Sequence, residues 1–443
     1  MDLIVRPSTL SGTLTVPGSK SHTIRALLIA SFAKGESTIK NPLFSEDTYS
    51  CIEACEAFGA KITINENQIY VVGNGGIIPN QNITINVGNS GTTLYLAIAL
   101  AALGTSAVTF IGDKQIDKRS ALPLLKALEE LGVSISSNNG CTPITIKGPI
   151  CSCECSLESP TSQYLSALLL ALPLARKKFK VEVLTLNEKP YVKMTLNWLA
   201  TQLVKIKHKN FSLFTIESKS NQNFYNPINV TIGGDYSSAS FFIVAGSLMG
   251  NPLILKGLQK KDTQGDKEII SILKKMGAKI KWNYSNGEEL LVVAPPRSGI
   301  LKPIKLDLNN MPDALPILSV AATFANGTST FYNVAHARLK ETDRITCMAQ
   351  ELSKVGVPVS QKPDGLTIEG LAFSENGIAN LELLVDPKVK PVRVNGHDDH
   401  RIIMALAVLA TAGNYPLLIE GCDGAQITYP DFFKTLNQVS QKE

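Results

Sequence analysis

The sequence predicts an α/β fold assembled from six related units. Three observations lead there. A short motif of large apolar residue, Gly, small residue, variable residue and β-branched residue occurs four times: Phe58-Gly59-Ala60-Lys61-Ile62, Leu131-Gly132-Val133-Ser134-Ile135, Met276-Gly277-Ala278-Lys279-Ile280 and Val355-Gly356-Val357-Pro358-Val359. Each reads as an amphipathic helix stopped by glycine and followed at once by a strand. The interval from Gly59 to Gly132 is 73 residues and that from Gly132 to Gly277 is 145, about twice as long, which places a degenerate copy near Leu203 to Ile206.

A second series runs in step with the first. Ser19 to Ala33, Asn89 to Leu103, Ser162 to Ala175, Asp235 to Leu248, Asp313 to Ala325 and Asp399 to Ala412 each begin with a small polar residue and continue as a helix apolar on nearly every side. A helix without a polar face belongs in a domain core, so sheets are expected around these six. Their apolar runs are shorter than the roughly 20 residues a membrane span needs. The third observation concerns their openings. Ser, Thr, Asn and Asp cap free backbone amides, and a helix N-terminus attracts anions, so each opening is expected to be capped and the set to favour anionic ligands.

Composition narrows the partners. A formal charge of +5 over 443 residues is mild and carries no concentrated basic face of the kind nucleic acid requires. The run Lys205-Ile206-Lys207-His208-Lys209 alternates as a strand with one wet face. Met1 to Pro7 holds neither an apolar signal stretch nor an Arg/Ser-rich leader, which gives the expectation of a cytoplasmic protein. Among the eight cysteines, Cys151, Cys153 and Cys155 alternate, so a strand there would align three sulfurs on one face. With no Cys-x-x-Cys knuckle and no neighbouring His they are read as reduced structural thiols. His397-Asp398-Asp399-His400 is followed by Arg401, a poor neighbour for a cation, and is read as anion chemistry.

The densest charge lies in Arg338-Leu339-Lys340-Glu341-Thr342-Asp343-Arg344, with five formal charges in seven residues. Two arginines and a lysine there can grip polyanionic oxygens while Glu341 remains for proton transfer.

Several motifs, in order, resemble those of the 5-enolpyruvylshikimate-3-phosphate synthase family. They are Pro17 to Leu27, Gly88-Asn89-Ser90-Gly91-Thr92, Ser162-Gln163-Tyr164, Lys189-Pro190-Tyr191, Gly234 to Ala239, Pro312-Asp313-Ala314, Arg338 to Arg344, Asp399-His400-Arg401 and Tyr429-Pro430-Asp431. The resemblance implies an inside-out α/β barrel: two similar domains, each of three βαβαββ units around buried central helices, closing on substrate. It places one domain at residues 18–232 and the other at 1–17 plus 233–443. The implied reaction moves the carboxyvinyl group of phosphoenolpyruvate to the 5-hydroxyl of shikimate 3-phosphate and releases phosphate, with no metal or organic cofactor, in a cytoplasmic monomer. In this family the herbicide glyphosate occupies the phosphoenolpyruvate site.

By position, the resemblance assigns shikimate 3-phosphate to Lys20, Ser21, Arg25, Thr161, Ser162, Gln163, Asp313 and Lys340. It assigns phosphoenolpyruvate to Lys20, Asn89, Gly91, Arg119, Gln163, Arg344 and Arg401, and proton transfer to Asp313, Glu341 and Lys20. Five positions depart from the family pattern. Tyr95 stands for an arginine, Ser120 for a proline, Glu188 for a phosphate-binding serine, His336 for an asparagine and Ile427 for a lysine that contacts phosphoenolpyruvate. These departures keep open a related transferase with another anionic hydroxyl acceptor. The sister enzyme acting on UDP-N-acetylglucosamine fits less well, because the loop Gly112 to Pro123 lacks that enzyme's reactive cysteine.

Overall fold

The computed structural model describes residues 1–218, 222–371 and 391–441. The chain divides into two compact units: an inserted unit, Gly18–Gly233, and a split unit made of Met1–Pro17 and Gly234–Glu443.

The inserted unit holds three four-stranded sheets. Their strand orders are Asn229–Thr231, Glu36–Lys40, Gln68–Val72, Lys61–Asn65; then Ile83–Asn86, Val108–Ile111, Cys141–Lys147, Ser134–Asn138; and Glu154–Ser159, Lys178–Leu186, Leu213–Glu217, Lys205–Lys209. In every sheet the first pair is parallel and the remaining pairs are antiparallel. A parallel pair needs a crossover, which an α-helix provides in the second and third sheets, whereas in the first sheet Asn229–Thr231 returns to Glu36–Lys40 only after the rest of the unit.

The split unit repeats the pattern. Gly12–Thr15, Leu253–Lys256, Glu288–Ala294 and Lys279–Ser285 form one sheet, and Lys305–Asp307, Thr328–Tyr332, Gly365–Glu369 and Val359–Lys362 a second. The third has Val392–Asn395 parallel to Leu417–Glu420, with Leu3–Val5 antiparallel on its far side. Gly12–Thr15 pairs parallel with Leu253–Lys256, so the inserted unit interrupts one repeat between its first strand and its helix.

Each unit has its own apolar core centred on three of the six helices. Gly91–Ala101 and Leu315–Thr323 are buried at every position, and Tyr236–Leu248 and His400–Ala412 at all but their last. Such burial is tolerable because the small polar residues on these helices bond inward, Ser247, Ser319, Thr323 and Thr411 donating to carbonyls one turn back, while the larger polar residues His400 and Arg401 stand at a helix opening.

The four helix-ending glycines all adopt positive φ, between 78° and 106°. At the degenerate copy, helix Lys189–Thr201 ends in the same way, but the left-handed residue is Leu203 (φ 58°). The missing glycine is therefore a leucine held in a conformation that disfavours a side chain.

Two expectations need correction. Ser90, Thr161, Asp235 and Asp399 cap their helices through side-chain oxygens, whereas Ser19 makes no such bond. Asp313 lies inside a 3-10 turn, Pro312–Ala314, and its carboxylate is drawn into ion pairs. The three alternating cysteines do not share a strand face: the strand starts at Glu154, so Cys151 and Cys153 are exposed ahead of it and Cys155 alone is buried.

Candidate active site

In the split unit three cations and three carboxylates converge. Arg344 opens helix Arg344–Lys354 with its guanidinium 1% exposed. Its Nε donates to Asp399 Oδ2 at 2.8 Å, Nη1 to Asp313 Oδ1 at 2.7 Å, and Nη2 to Glu341 Oε2 at 2.5 Å and Asp399 Oδ1 at 3.2 Å. Arg401 Nη2 lies 3.0 Å from Asp313 Oδ2, and Lys340 Nζ lies 3.9 Å from Asp313 Oδ1. The planar fork of arginine suits this multidentate grip in a way lysine could not.

The electrostatics follow from the geometry. Burial favours the neutral form of Asp313, but Arg401, Lys340 and Arg344 outweigh it and hold the carboxyl far below its ordinary range. Burial likewise opposes the charge on Asp399, and Arg344 prevails. Arg344 is desolvated too, yet Asp399, Glu341 and Asp313 fix its proton more firmly than in water. A carboxylate so placed accepts hydrogen bonds and resists protonation.

Arg338, the other arginine of the charged cluster, serves a structural role rather than holding an anion. It donates to Asp343 Oδ2 at 2.6 Å and to the carbonyls of Lys362 and Pro363. Asp343 in turn caps the Arg344 helix through the Thr346 amide.

In the inserted unit the predicted residues gather around the openings of the three central helices. Lys20 Nζ pairs with Asp47 Oδ2 at 2.8 Å. Arg25, 2% exposed, donates from Nε to Thr195 Oγ1 at 2.8 Å and from Nη1 to the carbonyl of Ser21 at 2.9 Å. Both partners are neutral, and burial lowers the Arg25 pKa to about 10. Asn89 donates to Asp113 Oδ2 and Gln115 Oε1 and accepts from Arg119 at 3.4 Å. Gly91 beside it leaves room for the Arg119 guanidinium, whose Nη1 would lie 2.9 Å from a Cβ there and would have to shift. Thr161 caps helix Ser162–Ala171, and Gln163 Oε1 is buried without a hydrogen-bond partner among the described residues.

The EPSP synthase family profile, described as EPSP synthase (3-phosphoshikimate 1-carboxyvinyltransferase), matches residues 4–436. Two relatives named 3-phosphoshikimate 1-carboxyvinyltransferase support it. That of Ruminiclostridium cellulolyticum is 40% identical, covering 100% of this chain and 99% of its own, and that of Acetivibrio thermocellus is 41% identical, covering 99% and 98%. The chain belongs to the EPSP synthase family. The fold agrees: EPSP synthase from Acinetobacter baumannii superposes with a TM-score of 0.78 over 99% of this chain and 98% of its own at 24% identity. The enolpyruvyl transferase NikO from Streptomyces tendae superposes at 0.74, covering 99% of this chain and 97% of its own at 16% identity. The six-unit reading of the sequence is the fold of these enolpyruvyl transferases.

Against the family pattern, the five departures are accommodated in different ways. Tyr95 is buried and meets Tyr164 edge-on, ring centroids 5.0 Å apart, so an aromatic pair fills the place of an arginine. The Ser120 carbonyl accepts from the Tyr164 hydroxyl at 2.6 Å. His336 is buried with Nε2 3.2 Å from the Asn309 carbonyl, and Ile427 is buried at the end of a 3-10 turn. Lys193, a lysine near the altered Glu188, stands 5.9 Å over the Phe211 ring. Glu188 itself points at the opening of helix Ser162–Ala171, where its Oε2 accepts from the Ser162 amide.

Sequence reasoning missed Asp399 as the main partner of Arg344, Thr342 as a donor to Asp399, and Asp47 as the partner of Lys20. Asp399 stands within the Asp399-His400-Arg401 motif, which is a usable signal; Asp47 looks like any acidic residue in the first turn of a helix.

Proposed function

We propose that the protein transfers the carboxyvinyl group of phosphoenolpyruvate to the 5-hydroxyl of shikimate 3-phosphate, releasing inorganic phosphate. The full-length relationship to 3-phosphoshikimate 1-carboxyvinyltransferases carries this reading. The split-unit cluster of Asp313, Lys340, Glu341, Arg344 and Arg401 supports it, because the reaction needs anion clamps and proton carriers side by side.

A proton added to the vinyl methylene of phosphoenolpyruvate makes C2 electrophilic, and the 5-hydroxyl oxygen bonds to it as the hydroxyl proton leaves. The tetrahedral intermediate then loses a methyl proton and its phosphate, restoring the double bond. Asp313, kept ionised by two arginines, suits the role of accepting the hydrogen bond from the attacking hydroxyl. Glu341, bound to Arg344 through one oxygen, and Asp313 are the leading proton-transfer carboxylates, and Lys20 is the third candidate.

Arg344, Arg401 and Arg119 are assigned to the carboxylate and phosphate of phosphoenolpyruvate, with Asn89, Gly91, Lys20 and Gln163 shaping that site. Arg25, Lys20, Ser21, Thr161, Ser162, Gln163 and Lys340 are assigned to the acceptor. The orphaned oxygen of Gln163 and the buried charge of Arg25, whose hydrogen-bond partners among the described residues are neutral, fit ligand-binding roles. The two compact units are taken as the family's two domains, in a monomeric cytoplasmic enzyme. Among the described residues no helix is long and apolar enough to cross a membrane.

The test is phosphate release from phosphoenolpyruvate by purified protein offered shikimate 3-phosphate and UDP-N-acetylglucosamine in parallel. Release with shikimate 3-phosphate alone is expected. Release with neither acceptor, from folded protein, would remove the assignment. Sedimentation velocity checks the monomer and cell fractionation the compartment.

A further inference from the structure

Glu188 is the last residue before helix Lys189–Thr201, in a left-handed conformation (φ 56°, ψ 40°) that side chains disfavour, yet its side chain does not cap that helix. It reaches instead to another helix. Its Oε2 accepts from the Ser162 amide at 3.0 Å, the Ser162 hydroxyl at 2.7 Å and the Thr161 hydroxyl at 3.1 Å, and the residue is 3% exposed. A helix N-terminus flanked by two hydroxyls is a complete anion seat. Here a side-chain carboxylate of the chain itself fills it.

Thr161 and Ser162 are among the residues assigned above to the acceptor, and Glu188 stands where the family pattern has a phosphate-binding serine, so the inference rests on that reading and takes these donors as the phosphate's. A carboxylate and a phosphate cannot share one amide and two hydroxyls, since each needs the same protons and the two repel. We propose that Glu188 is an internal anion that competes with the acceptor's phosphate for Thr161 and Ser162, and thereby sets how strongly the enzyme selects a phosphorylated acceptor. For phosphate to enter, the Glu188 carboxylate must leave its three donors. Shikimate without the phosphate has no group to displace it. The penalty therefore falls on the phosphorylated acceptor alone and narrows the preference for it.

Two substitutions separate the possibilities. In Glu188→Ser the charge and most of the volume are gone while a hydroxyl remains. Glu188→Gln keeps the shape and an oxygen that can still accept from Ser162, so the local fold has support even if the serine variant is unstable. Titration calorimetry of wild type and both variants with shikimate 3-phosphate, and separately with shikimate, reads the effect. Affinity for shikimate 3-phosphate is expected to rise roughly ten- to a hundredfold in Glu188→Ser and by less in Glu188→Gln, with shikimate changing less than about twofold. Binding of shikimate 3-phosphate that is unchanged or weaker in both variants overturns the proposal while leaving the acceptor assignment standing. No binding of shikimate 3-phosphate to any of the three proteins overturns both.

Discussion

The two units share one repeat and treat buried charge in opposite ways. In the split unit, Arg344 is surrounded by Asp313, Glu341 and Asp399, so cation and carboxylates hold each other. In the inserted unit, Arg25 is as deeply buried but donates to a threonine hydroxyl and a backbone carbonyl. A charge paired inside the protein is part of the fold, whereas one satisfied by neutral groups retains most of its attraction for an anion from outside. The same α/β scaffold thus supports a self-balanced ionic cluster in one unit and a buried arginine with neutral partners in the other. Internal carboxylates do act in the inserted unit as well, Asp47 on Lys20 and Glu188 at the opening of helix Ser162–Ala171.

Substitution of the two arginines should break this contrast most visibly. Arg344→Ala leaves three carboxylates without their common partner, and is expected to lower stability by about 3–5 kcal/mol in urea unfolding and to abolish measurable turnover. Arg25→Met, in contrast, removes a buried charge that has no counter-ion among the described residues. Its stability is expected to stay within about 1 kcal/mol of wild type, while KM for shikimate 3-phosphate rises roughly ten- to a hundredfold. Equal losses of stability in the two variants would erase the distinction.

Within the split unit, Glu341→Gln separates proton transfer from charge balance. The expected result is a fall in kcat of about 10²–10⁴, with acceptor KM changing far less. Near-normal turnover would remove Glu341 from the acid-base assignment.

A smaller effect concerns His397, whose Nε2 lies 2.6 Å from Oε1 of Glu351, a residue 1% exposed. The hydrogen bonds to Cys347 and Glu351 raise the His397 pKa to about 9. A raised histidine pKa stabilises fully below its unfolded value of about 6.5, and that contribution fades as pH climbs through the folded value. Glu351 has the opposite sign. Burial opposes its charge, but bonds from His397 and Lys354 lower its pKa, so its contribution is lost on acidification. His397→Gln should therefore cost more stability at pH 7 than at pH 10. Equal costs at both pH values would show that the ring acts by packing alone.

The smallest expected effect tests the repeat itself. Leu203 is 72% exposed and holds the left-handed position that glycine fills in four other copies. Leu203→Gly is expected to raise stability by roughly 0.5–1 kcal/mol, measured by urea unfolding.

Much of the fold was legible because the signals are local. An all-round apolar helix has nowhere to go but a core, and a glycine after an amphipathic run marks a helix end wherever it stands. The degenerate copy near Leu203 could be placed by interval alone. What stayed hidden depends on partners distant in sequence. Asp313 reads as a cap, yet Arg344 and Arg401 draw its carboxylate away. Arg338 reads as an anion clamp, yet Asp343 and two carbonyls occupy it. Glu188 was visible as a departure, but that its carboxylate would fill the seat at Ser162, 26 residues earlier, required the backbone to bring the two together.

The most direct test of the whole account is to run the reaction in heavy water with phosphoenolpyruvate and shikimate 3-phosphate and to identify the product by NMR. Protonation of the methylene followed by loss of a methyl proton predicts an enol ether at the 5-oxygen with deuterium in its vinyl group. An enol ether free of deuterium would contradict the proton-transfer mechanism, and the absence of any enol ether would contradict the assigned function.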